Sequence, residues 1–216
     1  MVPPKVEIFV DERLIEGDAA AFGTIEEILM HVQSEHCGPD QLVVGVRGDG
    51  HEIPAAAMTD ALRRPASTFT RLEITTGSRF QLVEDAMTDA SACLAETETA
   101  CQGVAELLTE GRTVEAIKTL GECLRVWQQV HDAVLKSVEM LRINAEHTDI
   151  GAGNLIDAIA QPREILLQVR DALQNRDHVL LADLLRYEFS EVTDKWHSVL
   201  GRLRREAEER RSAHPS

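Results

Sequence analysis

Side chains able to do chemistry are few in this chain, and they do not gather into a known pattern. His131 is the most pointed of them. It falls between Trp127 and Val134 in a run whose apolar residues recur every three or four positions, which sets an imidazole into an apolar helix face. An imidazole there serves as a ligand, a proton-exchanging group, a partner contact, or a structural residue bonded to a facing polar group. With Glu188, next to Tyr187, it forms the candidate buried polar site, where an enzyme or ligand-binding protein would build a pocket inside a bundle. Spacing argues against a metal. A di-iron centre needs a Glu-x-x-His from each of two helices, and none of the eight histidines has a Glu three positions before it. The nearest match is Asp194-Lys195-Trp196-His197. His31, His36 and Cys37, with distant His51, fall short of the roughly four converging ligands of a closed site. Neither a Gly-x-Ser-x-Gly nucleophile turn nor a Gly-x-x-x-x-Gly-Lys phosphate loop occurs. We therefore expect no catalytic residues, no metal and no cofactor.

The elements that must position these residues change character once. Up to Gly77 they are short. Val6, Ile8 and Val10 alternate with Glu7 and Phe9, and Leu14-Ile15 return after Asp11-Glu12-Arg13, which reads as a hairpin. Thr24-Ile25-Glu26-Glu27 is a capping box opening a helix with Ile25, Ile28, Leu29 and Val32 on one face, closed by Gly38-Pro39. Leu42–Val46 reads as a strand, Gly48-Asp49-Gly50 as a tight turn and His51–Ile53 as the return. Pro54 and Pro65 mark a loop before a last strand at Phe69–Thr75. This ββαββ(β) order resembles the ubiquitin-like β-grasp. That family includes carriers activated at a C-terminal Gly-Gly, whereas here Thr75-Thr76-Gly77 leads straight into a helix. The resemblance thus implies the fold without implying conjugation.

From Ser78 the period is helical. Ser78-Arg79-Phe80-Gln81 reads as a second capping box. The seam beyond it is Val83, Met87, Ala90, Leu94, Thr97, Cys101, Val104 and Leu108. After Glu110–Thr113 a second seam follows Ile117, Leu120, Leu124, Trp127, His131, Val134, Val138 and Leu141. A third helix restarts at Pro162 with Leu166, Val169 and Leu173, and a fourth carries Leu181, Leu185, Phe189, Val192, Trp196, Val199 and Leu203. The expected architecture is α+β: a β-grasp-like domain over 1–77 and a long antiparallel four-helix bundle over 78–216. Shifting 106–138 by 65 positions matches Leu108 with Leu173, Val114 with Val179 and Leu120 with Leu185, so the bundle reads as two similar hairpins, about 78–147 and 154–212.

Asp177 to Glu188 has more large apolar residues than one seam requires, and such a helix is either central in its bundle or shares a second interface. Val179, Leu180, Leu184, Tyr187 and Trp196 are accordingly the candidate interaction surface. This stretch with Trp196 resembles the C-terminal helix of a group of bacterial proteins, some with a small β-rich head, which would imply a flagellar or export association. The arginines between Arg202 and Arg211, mixed with Glu206, Glu208 and Glu209, read as a solvated face or a dock for an acidic partner.

Charge narrows the function classes. The chain of 216 residues carries a formal charge of −15, divided about evenly between its two parts, which disfavours nucleic acid and anionic membranes as partners. No apolar run reaches the roughly 18–20 residues of a membrane span, the N-terminus lacks a secretory layout, and the four cysteines form no CxxC pair. The expected setting is the cytoplasm. The expected role is non-enzymatic protein–protein interaction, as an adaptor, assembly factor or chaperone-like protein that also self-associates.

Overall fold

A computed structural model of the chain describes residues 6–15, 22–151 and 153–213. The first five residues, on which the expectation about a secretory leader falls, lie outside the described residues. The fold is α+β, with a five-stranded mixed sheet followed by long helices, in two compact units, Met1–Arg79 and Phe80–Ser216.

In the first unit, the alternation of Val6, Ile8 and Val10 makes β1 (Glu7–Val10), which turns back into β2 (Arg13–Leu14). Asp11 and Glu12 both hold positive φ, 46° and 66°, the backbone that a two-residue hairpin needs to follow strand twist. The capping box opens α1 (Ile25–Glu35) with Thr24 Oγ1 accepting the Glu27 N–H. The Glu27 carboxylate reaches Gly23 N–H at 2.7 Å, one residue before the cap. β3 (Gln41–Gly48) and β4 (His51–Glu52) meet at a second positive-φ turn, Asp49-Gly50. The backbone must be glycine at Gly48, where a Cβ would come within 2.3 Å of the Phe69 ring. The segment after Pro54, read as loop, is helix α2 (Ala55–Leu62). Three alanines in succession favour helix and Pro54 ends the preceding strand, a signal that two flanking prolines obscure. β5 (Arg71–Ser78) runs three residues beyond Thr75, because Gln41, Leu42 and Val43 extend β3 to pair with it.

The sheet order is β2-β1-β5-β3-β4, with β1 parallel to β5 and the other pairs antiparallel. Ile25, Ile28 and Val32 of α1 pack with Val6, Ile8, Val10, Val46, Leu72 and Ile74 in one core. Two turn carboxylates tie loops to β5. Asp11 accepts from the Thr76 N–H and hydroxyl, and Asp49 from the Thr70 N–H, the Thr70 hydroxyl and the Arg71 N–H. Those donors, the Thr70 hydroxyl first, hold the Asp49 carboxyl below the usual carboxylate range.

The second unit takes up α3 (Arg79–Thr109) from its second residue and continues with α4 (Thr113–Met140), the two joined at Gly111, which has φ 77°. α5 (Leu155–Ala160) and α6 (Pro162–Asn175) follow, then α7 (His178–Asp183), a π-helical turn over Leu184–Glu188, and α8 (Phe189–Ala213). Every residue of the first and fourth expected seams is buried. The second and third hold only at alternate positions: Leu120, Trp127, Val134, Leu141 and Val169 are buried, while at Ile117, Leu124, His131, Val138, Leu166 and Leu173 the preceding residue is buried instead. The buried face of α4 is Ala116, Leu120, Cys123, Trp127, Val130, Val134 and Ser137, and that of α6 is Pro162, Ile165, Val169 and Ala172. Small residues fill these seams, whereas the larger Ile117 and Leu166 flank them half exposed. Large apolar residues alone therefore misplace the stripe.

α8 is the central helix. It runs antiparallel to α3, with Glu84 meeting Arg211, Ser91 meeting His197 and Glu98 meeting Ser190, and the π turn before it continues the pairing with Arg186 meeting Thr109. It runs parallel to α4, with Trp127 against Phe189 and Trp196, and Leu141 C=O accepting from Arg210. It also packs on α5. Three packed neighbours explain why Val192 with Thr193, and Val199 with Leu200, are buried side by side on it. Among the described residues no helix is long and apolar enough to cross a membrane.

Candidate functional site

The apolar segment Val179–Tyr187 is sorted by its helix. Asp177 caps it, its carboxylate accepting the Leu180 N–H at 2.9 Å. Leu181, Ala182, Leu184 and Leu185 face the core, while Val179, Leu180 and Tyr187 are 74%, 45% and 69% exposed. At the π turn the Phe189 N–H bonds back to Leu184 C=O. The added residue lets Leu184 and Leu185 both reach the core before the α8 seam resumes at Phe189.

Two members of the expected surface are therefore core residues. Leu184 is buried, and Trp196 is wholly so, because its helix packs on three others. The Trp196 indole donates to Ala158 C=O at 3.1 Å. In a continuous helix that carbonyl would accept from residue 162, but Pro162 has no N–H. Trp196 thus satisfies a carbonyl that the proline leaves open, and its sequence prominence reflects structure.

The expected buried polar site is not assembled. Glu188 points to solvent. The His131 side chain keeps 35% of its exposure, since it flanks the true α4 seam. Its ring stacks on Trp196 with centroids 5.6 Å apart and planes at 26°, beside the edge-on Trp127–Trp196 pair at 5.2 Å. Nδ1 lies 3.9 Å from Asp132 on its own helix. These contacts make His131 an aromatic lid on the tryptophan pair. Trp127 Nε1 is buried without an acceptor among the described residues. Asp194 is exposed, and His197 meets Ser91 at 3.3 Å. Among the described residues no group of three or more His, Cys, Asp or Glu comes together as a metal site.

The arginine-rich end of α8 is largely used within the unit. Arg210 bonds Leu141 C=O and Glu206, Arg211 reaches Glu84 and Gln81, and Arg202 and Arg204 pair with Glu206 and Glu208. Gln81, expected to close a capping box, instead bonds Asp85 and Arg211.

Residues 85–199, more than half of the chain, match the family model of a domain of unknown function, DUF8042. The chain belongs to the DUF8042 family. No curated protein and no solved structure matches it. The DUF8042 match opens at Asp85 in α3 and closes at Val199 in α8, so it holds both helical turns, the π turn and the tryptophan cluster and leaves out the sheet. Within the DUF8042 region, sequence reasoning missed Val114, 85% exposed, and Ile117, 47% exposed, at the start of α4. Because α4 and α8 run parallel, these lie at the same end of the unit as Val179 and Leu180. The internal match of Val114 with Val179 carried that signal.

Proposed function

We propose that this protein is a non-enzymatic interaction module that self-associates through the apolar end of its helical unit. The observation that carries the reading is the exposure of Val114, Val179 and Tyr187 at one end of the unit, with Ile117 and Leu180 half covered. Isolated exposed apolar residues are ordinary, but large ones collected at one end of a domain mark a contact surface. The occupant proposed is a second copy. A net charge of −15 makes two copies repel at long range, so a contact between them has to be apolar and gains from salt screening. On this reading the protein does adaptor, assembly-factor or chaperone-like work in the cytoplasm.

The same reading takes the head as a β-grasp and the helices as an antiparallel four-helix bundle made of two similar hairpins. The order β2-β1-β5-β3-β4 with α1 packed into its core supports the first. The second is supported by equivalent turns, since the 65-residue shift places Gly111, φ 77°, on Arg176, φ 54°.

Light scattering on the eluting chromatographic peak tests the self-association. At tens of micromolar the full chain should run as a dimer or larger, more so at higher salt. Val179→Asp/Tyr187→Asp should run as a monomer with unchanged helical circular dichroism. A monomeric wild type at all salt concentrations would refute the reading.

A further inference from the structure

The first helical hairpin holds a feature that the interaction reading does not use. Two of the free cysteines, Cys101 on α3 and Cys123 on α4, are buried in the same core. The buried residues of these helices sit at mirrored positions about the Glu110–Arg112 turn: Leu108 with Ala116, Val104 with Leu120, Cys101 with Cys123, Thr97 with Trp127. In an antiparallel hairpin with a short turn, mirrored positions share a layer. Cys101 and Cys123 thus occupy one buried layer of the hairpin. The interaction with Cys123 and then burial raise the Cys101 thiol, while the interaction with Cys101 lowers the Cys123 thiol and favours its thiolate. The other two cysteines stand apart: Cys93 is exposed and Cys37 belongs to the sheet unit.

We propose that Cys101 and Cys123 are a redox-active dithiol that a peroxide closes to a disulfide, fastening α3 to α4. The reaction balances in two steps. The Cys123 thiolate attacks one peroxide oxygen, the O–O bond breaks, and the departing hydroxide takes a proton to become water, leaving a sulfenic acid on Cys123. Cys101 sulfur then attacks the Cys123 sulfur. The S–S bond forms, the S–OH bond breaks, and the hydroxyl leaves with the Cys101 proton as a second water. Two thiols are oxidised by two electrons in all, and the peroxide is reduced to two waters. Because both sulfurs are buried, attack requires a local opening of the hairpin, so Cys93 reacts first. Once closed, the bond restrains residues 102–122 in the unfolded chain and raises the unfolding temperature.

The test uses the full chain carrying Cys37→Ser and Cys93→Ser, so that one intramolecular pairing is available. After reduction, a hydrogen peroxide titration is followed by alkylation, non-reducing digestion and mass spectrometry. The expected product is a monomeric crosslink between the Cys101 and Cys123 peptides, two hydrogens lighter, with both thiols lost together. The thermal midpoint should rise by several degrees and fall back on reduction with dithiothreitol. Thiols that end as sulfinic or sulfonic acids, that link only between chains, or that stay unreacted at peroxide levels that oxidise Cys93 in the wild type would overturn the proposal. Cys123→Ser should abolish the peroxide-dependent rise in midpoint. Should either serine background fail to fold, the same peptide mapping on the unsubstituted chain decides between these outcomes.

Discussion

In the first helical hairpin α3 and α4 each run unbroken, whereas in the second both limbs are interrupted, the first at Pro162 and the other by the π turn at Leu184–Glu188. The first hairpin closes its turn with glycine at positive φ, and the second does so with Arg176 at φ 54°. One is regular and is padded with small residues, Ala116, Cys123 and Ser137. The other is irregular and carries Trp196, the largest fully buried side chain. Irregularity and bulk go together for a physical reason. A proline leaves a carbonyl unbonded, a buried carbonyl must find a donor, and Trp196 brings one from the neighbouring helix. The exposed apolar residues of Val179–Tyr187 also stand in the irregular hairpin, where the helix surface is divided between core and solvent.

The largest expected break of this comparison is Trp196→Ala, which empties the centre of the core and should cost about 3–5 kcal/mol in urea unfolding. Phenylalanine substitutions separate bulk from hydrogen bonding. Trp196→Phe strands Ala158 C=O, while Trp127→Phe removes an indole N–H that has no acceptor among the described residues, so the former should cost about 1–3 kcal/mol more. The penalty should shrink when Pro162→Ala supplies the missing N–H. A Trp196→Phe cost unchanged by that substitution would show that the indole bond does not serve the proline.

The two turns give the next contrast. Gly111→Ala, at φ 77°, should destabilise by about 1 kcal/mol. Arg176→Gly should be neutral or stabilise by up to about 1 kcal/mol, since glycine is the favoured residue at that helix end. Asp177→Ala, which removes the cap from Leu180 N–H, should cost about 1 kcal/mol. Smallest of all, Val179→Ser and Tyr187→Ser should stay within about 0.5 kcal/mol in monomer stability, so any loss of association in these variants is a surface effect. If either cost as much as Asp177→Ala, the division of this helix between core and surface would be wrong.

Legibility followed side-chain size. The first and fourth seams are spelled out by Leu, Val, Met, Phe and Trp, and every residue of both is buried. The second and third slip by one position at alternate residues, because Ala116, Cys123, Ser137 and Ala172 say little about their surroundings until a neighbouring helix approaches. The same slip moves His131 from the flank of α4 into its seam and suggests a buried polar site with Glu188 that the helices do not assemble. In the sheet unit, period-2 alternation and the capping box mark β1 and α1, while α2 is hidden between two prolines.

The sequence by itself determined the change from short strands to long helices near Gly77, the helix ends at Thr24, Gly111 and Asp177, and the acidic charge that any partner must meet. Those follow from local backbone preference and from summed charge, which require no distant contact. Tertiary structure alone decided that Trp196 and Leu184 are core while Tyr187 is surface, that Trp196 answers Pro162 across 34 positions of sequence, and that Cys101 and Cys123 are both buried in the same core. Periodicity gives a helix an apolar arc but not the number of neighbours that will cover it, and only packing fixes which part of the arc stays open.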